Sequence, residues 1–376
     1  MKERLKHHVA CEIFANPCPV WLKQAWCELE QRAEPNFFLS WLWIGTWLDS
    51  FVDDFWVIEA RKQGKTVGLG VIVKNPPHFP SFREKYFLHR TGNLSHDQIW
   101  IEYNDFLLDT TEQEVIRQKM VECLVYTIDR RGAIVIGASL DETFQCISQL
   151  GLTKRKIWET KNYAIDLTEL RSKGQTVLES LSRNSRSQIL RSLRNYRQIG
   201  EISLHKAQTV DEAKSLLIRA KPLHLARWNE QHPKSGFANH NFVTFHERLI
   251  ERGISSGAVE LYHVKAGNET LSIIYNFHYN NRIYFYLCAI NYCHTSAQYK
   301  PGLVSHYLLI DKALNEGIAC YDFMGGDARY KASFSNRQGE LSVSQFEHPS
   351  MLLSFEGKFR FAKEWIVKKR NREFYS

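Results

Sequence analysis

The residues best suited to chemistry crowd into one stretch, YDFMGGDARYKASFS at 321–335. It places Asp322, Asp327, Arg329 and the Tyr330–Lys331 pair around two adjacent glycines, Gly325 and Gly326. Glycine admits positive φ and close backbone approach, which suits a loop that holds a ligand against its main chain. Asp322 and Asp327 are candidates for deprotonating or orienting an acceptor amine or hydroxyl, and Tyr330 for returning a proton to a leaving group. Arg329 and Lys331 are candidates for gripping phosphate or carboxylate. Asp322 and Phe323 alternate on a strand, so one faces a pocket and the other the core. The plainer alternative is that Asp322 caps a turn and Tyr330 to Phe334 simply pack.

Three further patterns carry polar chemistry. KPGLVSHYLLIDKALNEG (300–317) reads as a helix with Pro301 in its first turn, Gly302 leaving neighbouring amides open, and Gly317 at its end. Leu303, Tyr307, Ile310 and Leu314 follow helical periodicity and are expected on its buried face. PLHLARW (222–228) brings His224 and Trp228 to one helical face with Arg227 adjacent, a base, a cation and a stacking plane for a sugar or peptide. RNSRSQILRSLRNYR (183–197) has five arginines and no acid; Arg186 and Arg191 belong to an arginine face opposite Ile189, Leu193 and Tyr196. Such a face suits nucleic acid, anionic headgroups or donor phosphates, or else is only solvated.

The elements that must position these residues are written twice. DFWVIEARKQGKTVGLGVIVKN (54–75) and VELYHVKAGNETLSIIYNFHY (259–279) alternate apolar and polar residues about a glycine turn, as hairpins do. Each is followed by an aromatic strand, IWIEYNDF (99–106) or RIYFYLCAI (282–290), then a helix, then a short apolar strand. Each is preceded by helical, tryptophan-bearing sequence. The units are expected at 1–162 and 163–345, meeting near YAIDL, with 346–376 an amphipathic helical extension ending in a basic tip. Helices on a mixed sheet, duplicated in tandem, make an α/β (α+β) architecture.

The 376 residues are 44% apolar and 24% charged, enough for two cores. The formal charge of +8 is compatible with a phosphate-rich partner without requiring one. No run approaches a membrane span and the charged N-terminus lacks an apolar continuation, so a cytoplasmic protein is expected. The eight cysteines show no CxxC and no paired metal spacing, so buried reduced thiols and no metal are expected. Cys293–His294 is a poor nucleophile–base pair, because adjacent side chains seldom point together.

The half-repeat resembles the GNAT acyltransferase fold. The tandem arrangement is similar to the FemAB-like branch and its CelD/BcsL relatives, carried by FFLSWLWIGTW, SLSRNSRSQILRSLR, LHLARW, KPGLVSHYLLIDKAL and YDFMGGDARYKASF. The resemblance implies an enzyme that moves an acyl group from a thioester to an amine or hydroxyl, with acetyl-CoA or another acyl-CoA cradled by Lys300, Gly302 and Leu303. It also implies an acceptor among glycan or peptide precursors of exopolysaccharide or envelope synthesis. The family's cradle pattern puts Gln or Arg three residues before the glycine and a small residue two after it. Here Gln298 lies four before Gly302 and Val304 stands at the small position, which leaves an acyl carrier protein or an aminoacyl-tRNA open as donor. The first copy has Asp105, Asp109, Glu112 and Glu114 where a cradle would lie, a field that repels phosphate. The donor is therefore expected on the C-terminal copy alone. A GNAT-fold polyanion binder without catalysis is the remaining alternative.

Overall fold

The structure, a computed structural model, describes residues 9–77, 83–128, 130–228, 235–294 and 296–349. The N-terminal unit runs β1 (Val9–Ala15), α1 (Pro19–Ala33), α2 (Trp41–Phe51), β2 (Trp56–Lys62), β3 (Lys65–Asn75) and β4 (Lys85–Leu88). It continues through a two-residue β5 (Leu107–Leu108), α3 (Gln113–Thr127), β6 (Ala133–Leu140), α4 (Cys146–Gln149) and β7 (Thr153–Asp166). A helical connection follows: α5 (Leu167–Ser172), α6 (Val177–Ser180) and the arginine helix α7 (Arg183–Ile199). The C-terminal unit runs β8 (Ile202–Lys206), α8 (Val210–Trp228), α9 (His240–Gly253), β9 (Val259–Ala266), β10 (Glu269–Tyr279) and β11 (Arg282–Ile290). It closes with α10 (Pro301–Asn315), β12 (Cys320–Gly325), α11 (Arg329–Phe334) and β13 (Arg337–Glu347). Apart from β5, the order is the same in both units. Of the expected C-terminal extension, 346–347 end β13 and residues from 350 onward lie outside the described residues.

All these strands join one mixed sheet in the order β1-β2-β3-β4-β6-β13-β7-β12-β11-β10-β9-β8, with β5 beside β3. Only β4–β6 and β11–β12 are parallel. The closing strands are exchanged: β13 lies against β6 of the first unit, and β7 against β12 of the second. β7 and β13 also pair with each other, from Arg337↔Ala164 to Glu347↔Thr153, so the two units share a central seam. The 162/163 boundary falls within β7.

The two tryptophan-bearing helix pairs do not build two separate cores. α1, α2, α8 and α9 pack on one sheet face in a single apolar layer holding Trp26, Trp43, Phe245 and Phe277. Phe37 stacks on Phe277 at 4.1 Å, and Arg252 pairs with Asp49 at 2.7 Å, joining residues of opposite units. Each unit has its own apolar cluster on the other face, built around α3 in one and α10 in the other. Burying both helix pairs together removes more apolar surface from water than two separate small cores would.

The expected strand at 99–106 does not form. Trp100 and Tyr103 take φ of 55° and 52°, outside the strand region, and the segment crosses the sheet as a loop. The strand at that place in the order is β4. No helix of the described residues is long and apolar enough to cross a membrane. The eight cysteines are free, but six are only half-buried and Cys18 and Cys293 are exposed, against the expectation of mostly buried thiols.

Candidate functional site

The site begins where two parallel strands part. β11 pairs with β12 only from Arg282↔Cys320 to Tyr284↔Asp322. β12 then turns away, with Met324 at φ 60° and Gly326 at φ 121°, and among the described residues no strand pairs with the freed edge of β11 beyond Tyr284. The alternate amides and carbonyls along that edge are left for a ligand. α10 starts at the mouth of the opening. Pro301 occupies its first turn, and a Cβ on Gly302 would meet nothing closer than the Ile290 side chain at 3.7 Å, so the helix N-terminus is open to an anion. The Lys300 N–H donates to Ser192 Oγ at 2.8 Å, tying this start to α7.

Two cavities meet along the freed edge. One, about 360 Å³, is lined by Lys300, Gly302, Leu303 and His306. The other, about 440 Å³, runs to Glu102, Trp100, Trp158 and the Gly325–Gly326 turn. Arg227, Cys288 and Tyr330 line both, so the cleft is continuous from the helix N-terminus to the glycines.

Glu102 comes from the other unit and was not anticipated. Its Oε2 accepts from the Gly325 N–H at 2.7 Å, and a Cβ on Gly325 would lie 3.0 Å from its Oε1. Burial lifts its carboxyl to about 7, against the pull of the Gly325 N–H and the Lys331 charge. Lys331, 9% exposed, donates to the Phe323 and Gly325 carbonyls at 2.8 and 2.5 Å, and burial depresses its ammonium. A Cβ on Gly326 would meet that ammonium at 3.0 Å. The two glycines thus let the β12 end fold around one carboxylate and one ammonium. Glu102 was missed because its segment read as a local strand, and nothing in its spacing announces that it crosses to the second unit.

Tyr330 stands where the cavities join, its ring stacked on His306 at 5.0 Å. Burial raises the phenol well above its ordinary value, so it keeps its proton. His306 is 1% exposed, lacks a partner at Nδ1 among the described residues, and is held neutral by burial and then by Lys331, down to about 3. The buried face of α10 is turned from the expected one: Ser305 and His306 are buried while Leu303 and Tyr307 are only half-buried. Ser305 is admitted by a 2.7 Å hydrogen bond from Ser272.

Asp322 does not face this cleft; of the alternating pair it is Phe323 that lines it. The Asp322 carboxylate, 1% exposed, accepts from Tyr103 Oη at 2.8 Å and the Met324 N–H at 2.7 Å, and pairs with Arg282 at 3.1 Å. With its lone pairs occupied, it positions the β12 turn and is poorly placed to take a proton from an acceptor. Asp327 lines the cleft, exposed, and accepts from Tyr163 Oη at 3.0 Å. Arg329 is exposed and is not among the lining residues of either cavity, while Lys331 is spent on backbone carbonyls. His224 and Arg227 do line the cleft. His224 Nδ1 lies 2.9 Å from Ser235 Oγ, and burial followed by the Arg227 charge lowers it to about 4. Arg227 covers the Tyr292 ring at 5.3 Å. Trp228 ends α8, and its side chain lies outside the described residues.

The arginine helix divides. Arg186 turns inward and donates to the Leu178 and Glu179 carbonyls at 2.8 and 3.1 Å, capping α6, so it is withdrawn from any ligand. Arg191, Arg194 and Arg197 are exposed on the helix whose Ser192 holds Lys300.

The corresponding opening in the N-terminal unit is filled. Asn104 Nδ2 donates to the Leu88 and Gly137 carbonyls at 2.8 and 3.3 Å, and its N–H donates to Ala138, bridging β4 and β6. Near the α3 start the acids are neutralised rather than repulsive: Asp105 pairs with Arg117, Asp109 with Arg32 and Glu112 with Lys62. A cavity of about 610 Å³ remains beside them, lined by Asn36, Tyr103, Arg117 and Arg282. It is larger than either half of the cleft, but its cations are already paired within the protein.

Residues 183–332 match the acetyltransferase (GNAT) domain family model. The C-terminal unit carries a GNAT domain. Beyond that GNAT domain, the fold is similar to that of FemX: TM-score 0.58 at 12% identity, over 91% of this chain and 98% of that one. The C-terminal domain of a putative lysylphosphatidylglycerol synthetase from Agrobacterium fabrum gives 0.53 at 8% identity, over 87% and 92% of the two chains. L-PGS from Bacillus licheniformis gives 0.53 at 9%, over 88% and 92%. No curated protein matches the chain.

Proposed function

We propose that the protein transfers an acyl group from a thioester donor, an acyl-CoA, to an amine or hydroxyl on a glycan or peptide precursor. The observation that carries this is the continuity of the cleft: an open helix N-terminus for donor phosphates at one end, a buried carboxylate tuned to about 7 at the other, and the freed β11 edge between. The acceptor nitrogen attacks the thioester carbonyl, its proton passes to Glu102, and the β11 amides stabilise the oxyanion. Collapse breaks the C–S bond, and the thiolate takes the Tyr330 proton as the proton held by Glu102 replaces it, so that both groups return to their starting state. Asp327, His224 and Arg227 hold the acceptor, while Trp100 and Trp158, 50% and 38% exposed, offer flat faces to a sugar ring. Lys331 counterbalances Glu102 and Asp322 fixes the turn.

A second reading, an aminoacyl-tRNA donor, is favoured by Arg191, Arg194 and Arg197 standing exposed beside Lys300 and by the fold shared with FemX. In that case an ester C–O bond breaks and the ribose oxygen takes the proton. The thermal unfolding midpoint with saturating acetyl-CoA and longer acyl-CoAs, against ATP at equal concentration, separates the two. A ligand at 100 times its Kd adds about 2.7 kcal/mol to the folded state, a shift of a few degrees. A shift with thioester and not with ATP supports the acyl-CoA donor. No shift with any thioester, joined to aminoacyl-tRNA binding that weakens steeply with salt, replaces it with the second reading.

A further inference from the structure

The loop between β11 and α10 carries a cluster that the transfer reaction does not use. Glu269, at the start of β10, meets Cys293 and His294, and the three potential ligand atoms lie within 4.8 Å of one another. Cys293 Sγ is 3.5 Å from Glu269 Oε1, and His294 Nε2 is 2.9 and 3.1 Å from the two carboxylate oxygens. A tetrahedral zinc site, with bonds to N and O near 2.0–2.1 Å and to S near 2.3 Å, spaces its ligands about 3.3 to 3.6 Å apart. The two distances to Glu269 are within a few tenths of an ångström of that spacing, and the Cys293 and His294 ligand atoms lie within 4.8 Å of each other. The imidazole is already oriented, stacked on Tyr299 at 4.1 Å and facing the edge of Tyr196 at 6.1 Å. The loop is also pinned beside the carboxylate, since the Asn291 N–H and Nδ2 donate to Leu271 and Thr270 of β10, each at 2.9 Å.

We propose that Glu269, Cys293 and His294 bind one divalent zinc-type ion, leaving a fourth position for water or a ligand. Carboxylate, thiolate and imidazole are a donor set that suits zinc and discriminates against magnesium and calcium. Cys293 loses its proton on binding. The ion fastens the loop that leads into Lys300 to the start of β10, and so acts as a clasp on the helix N-terminus. The cysteine spacing does not disclose such a site, because its third ligand lies 24 residues before Cys293.

The test uses the full chain, stripped with chelator and titrated with Zn2+ against a chromogenic zinc indicator, and separately with Co2+. The expected result is one Zn2+ per chain and a thiolate-to-cobalt charge-transfer absorption. Cys293→Ser should abolish that absorption, and Cys293→Ser and His294→Ala should each weaken Zn2+ binding by roughly tenfold or more. Cys18→Ser, at the other exposed cysteine, should change neither. In the unaltered chain Zn2+ should slow alkylation of Cys293 and not of Cys18, a readout that does not depend on a variant folding. Zn2+ binding that survives Cys293→Ser undiminished, or Cys293 alkylated at the same rate with and without the metal, would overturn the proposal.

Discussion

Near neutral pH, Glu102 divides between its two protonation states because burial has brought its carboxyl up to about 7. As the base for the acceptor it predicts a rate that rises with pH through that value, and Glu102→Gln is expected to cost about 10²- to 10⁴-fold in kcat/KM and to remove the limb from the profile. Lys331→Met, which deletes the charge that favours the ionised form, should move the same limb to higher pH. The linkage runs against stability. The folded value lies above the ordinary 4.5, so the folded state holds the proton more tightly, and this contribution, complete below 4.5, is lost as pH rises through 7. Denaturant titrations at pH 4.5 and pH 8 should therefore show Glu102→Gln gaining on the unaltered chain at the higher pH. Burial raises Asp322 as well, but its carboxylate is held by Tyr103, the Met324 N–H and Arg282. Its removal by Asp322→Ala orphans the Tyr103 hydroxyl and the Met324 amide and is expected to cost about 3 kcal/mol, measured by urea unfolding. The chemistry-bearing residue types at 321–335 were legible in the sequence, and Tyr330 and the glycines line the cleft. Which aspartate lines the cleft was not legible, because a strand's alternation does not say which of its faces opens.

Among elements, the two helix starts differ in what they leave open. α10 begins with Pro301 and an open Gly302, while near the α3 start Arg117 is paired with Asp105 and β4 and β6 are bridged by Asn104. Gly302→Trp should leave the unfolding midpoint in place, since among the described residues an added Cβ there would meet only the Ile290 side chain beyond its own helix and chain neighbours, and should abolish the shift produced by the donor. Asn104→Ala should instead destabilise by about 2 kcal/mol, leaving the Leu88 and Gly137 carbonyls unpaired, with no effect on that shift. Hairpins, tryptophan helices and the Pro-started helix were readable from periodicity and turn residues, which are local signals. The segment at 99–106 was not. Its alternating aromatics have the composition of a strand, and the left-handed backbone at Trp100 and Tyr103 that makes it a crossing loop is imposed by its contacts.

At the scale of the molecule the duplication was readable, and the exchange of closing strands was not, because β7 and β13 would satisfy the same pattern whichever unit they closed. The exchange joins the units into one sheet, so a single cooperative transition is expected in calorimetry. A fragment limited to 183–332 lacks both exchanged strands, leaves the β12 edge bare, and should aggregate. The exchange also sets an order in time. β6 is complete at Leu140, but its neighbour β13 begins at Arg337, 197 residues later in synthesis. At about 5–20 residues per second the wait on the ribosome is roughly 10 to 40 s. From Asp166 onward β7 is the one closing strand already made, tethered to β6 by a short connection. Any β6–β7 pairing formed in that interval would have to be undone to admit β13 between them.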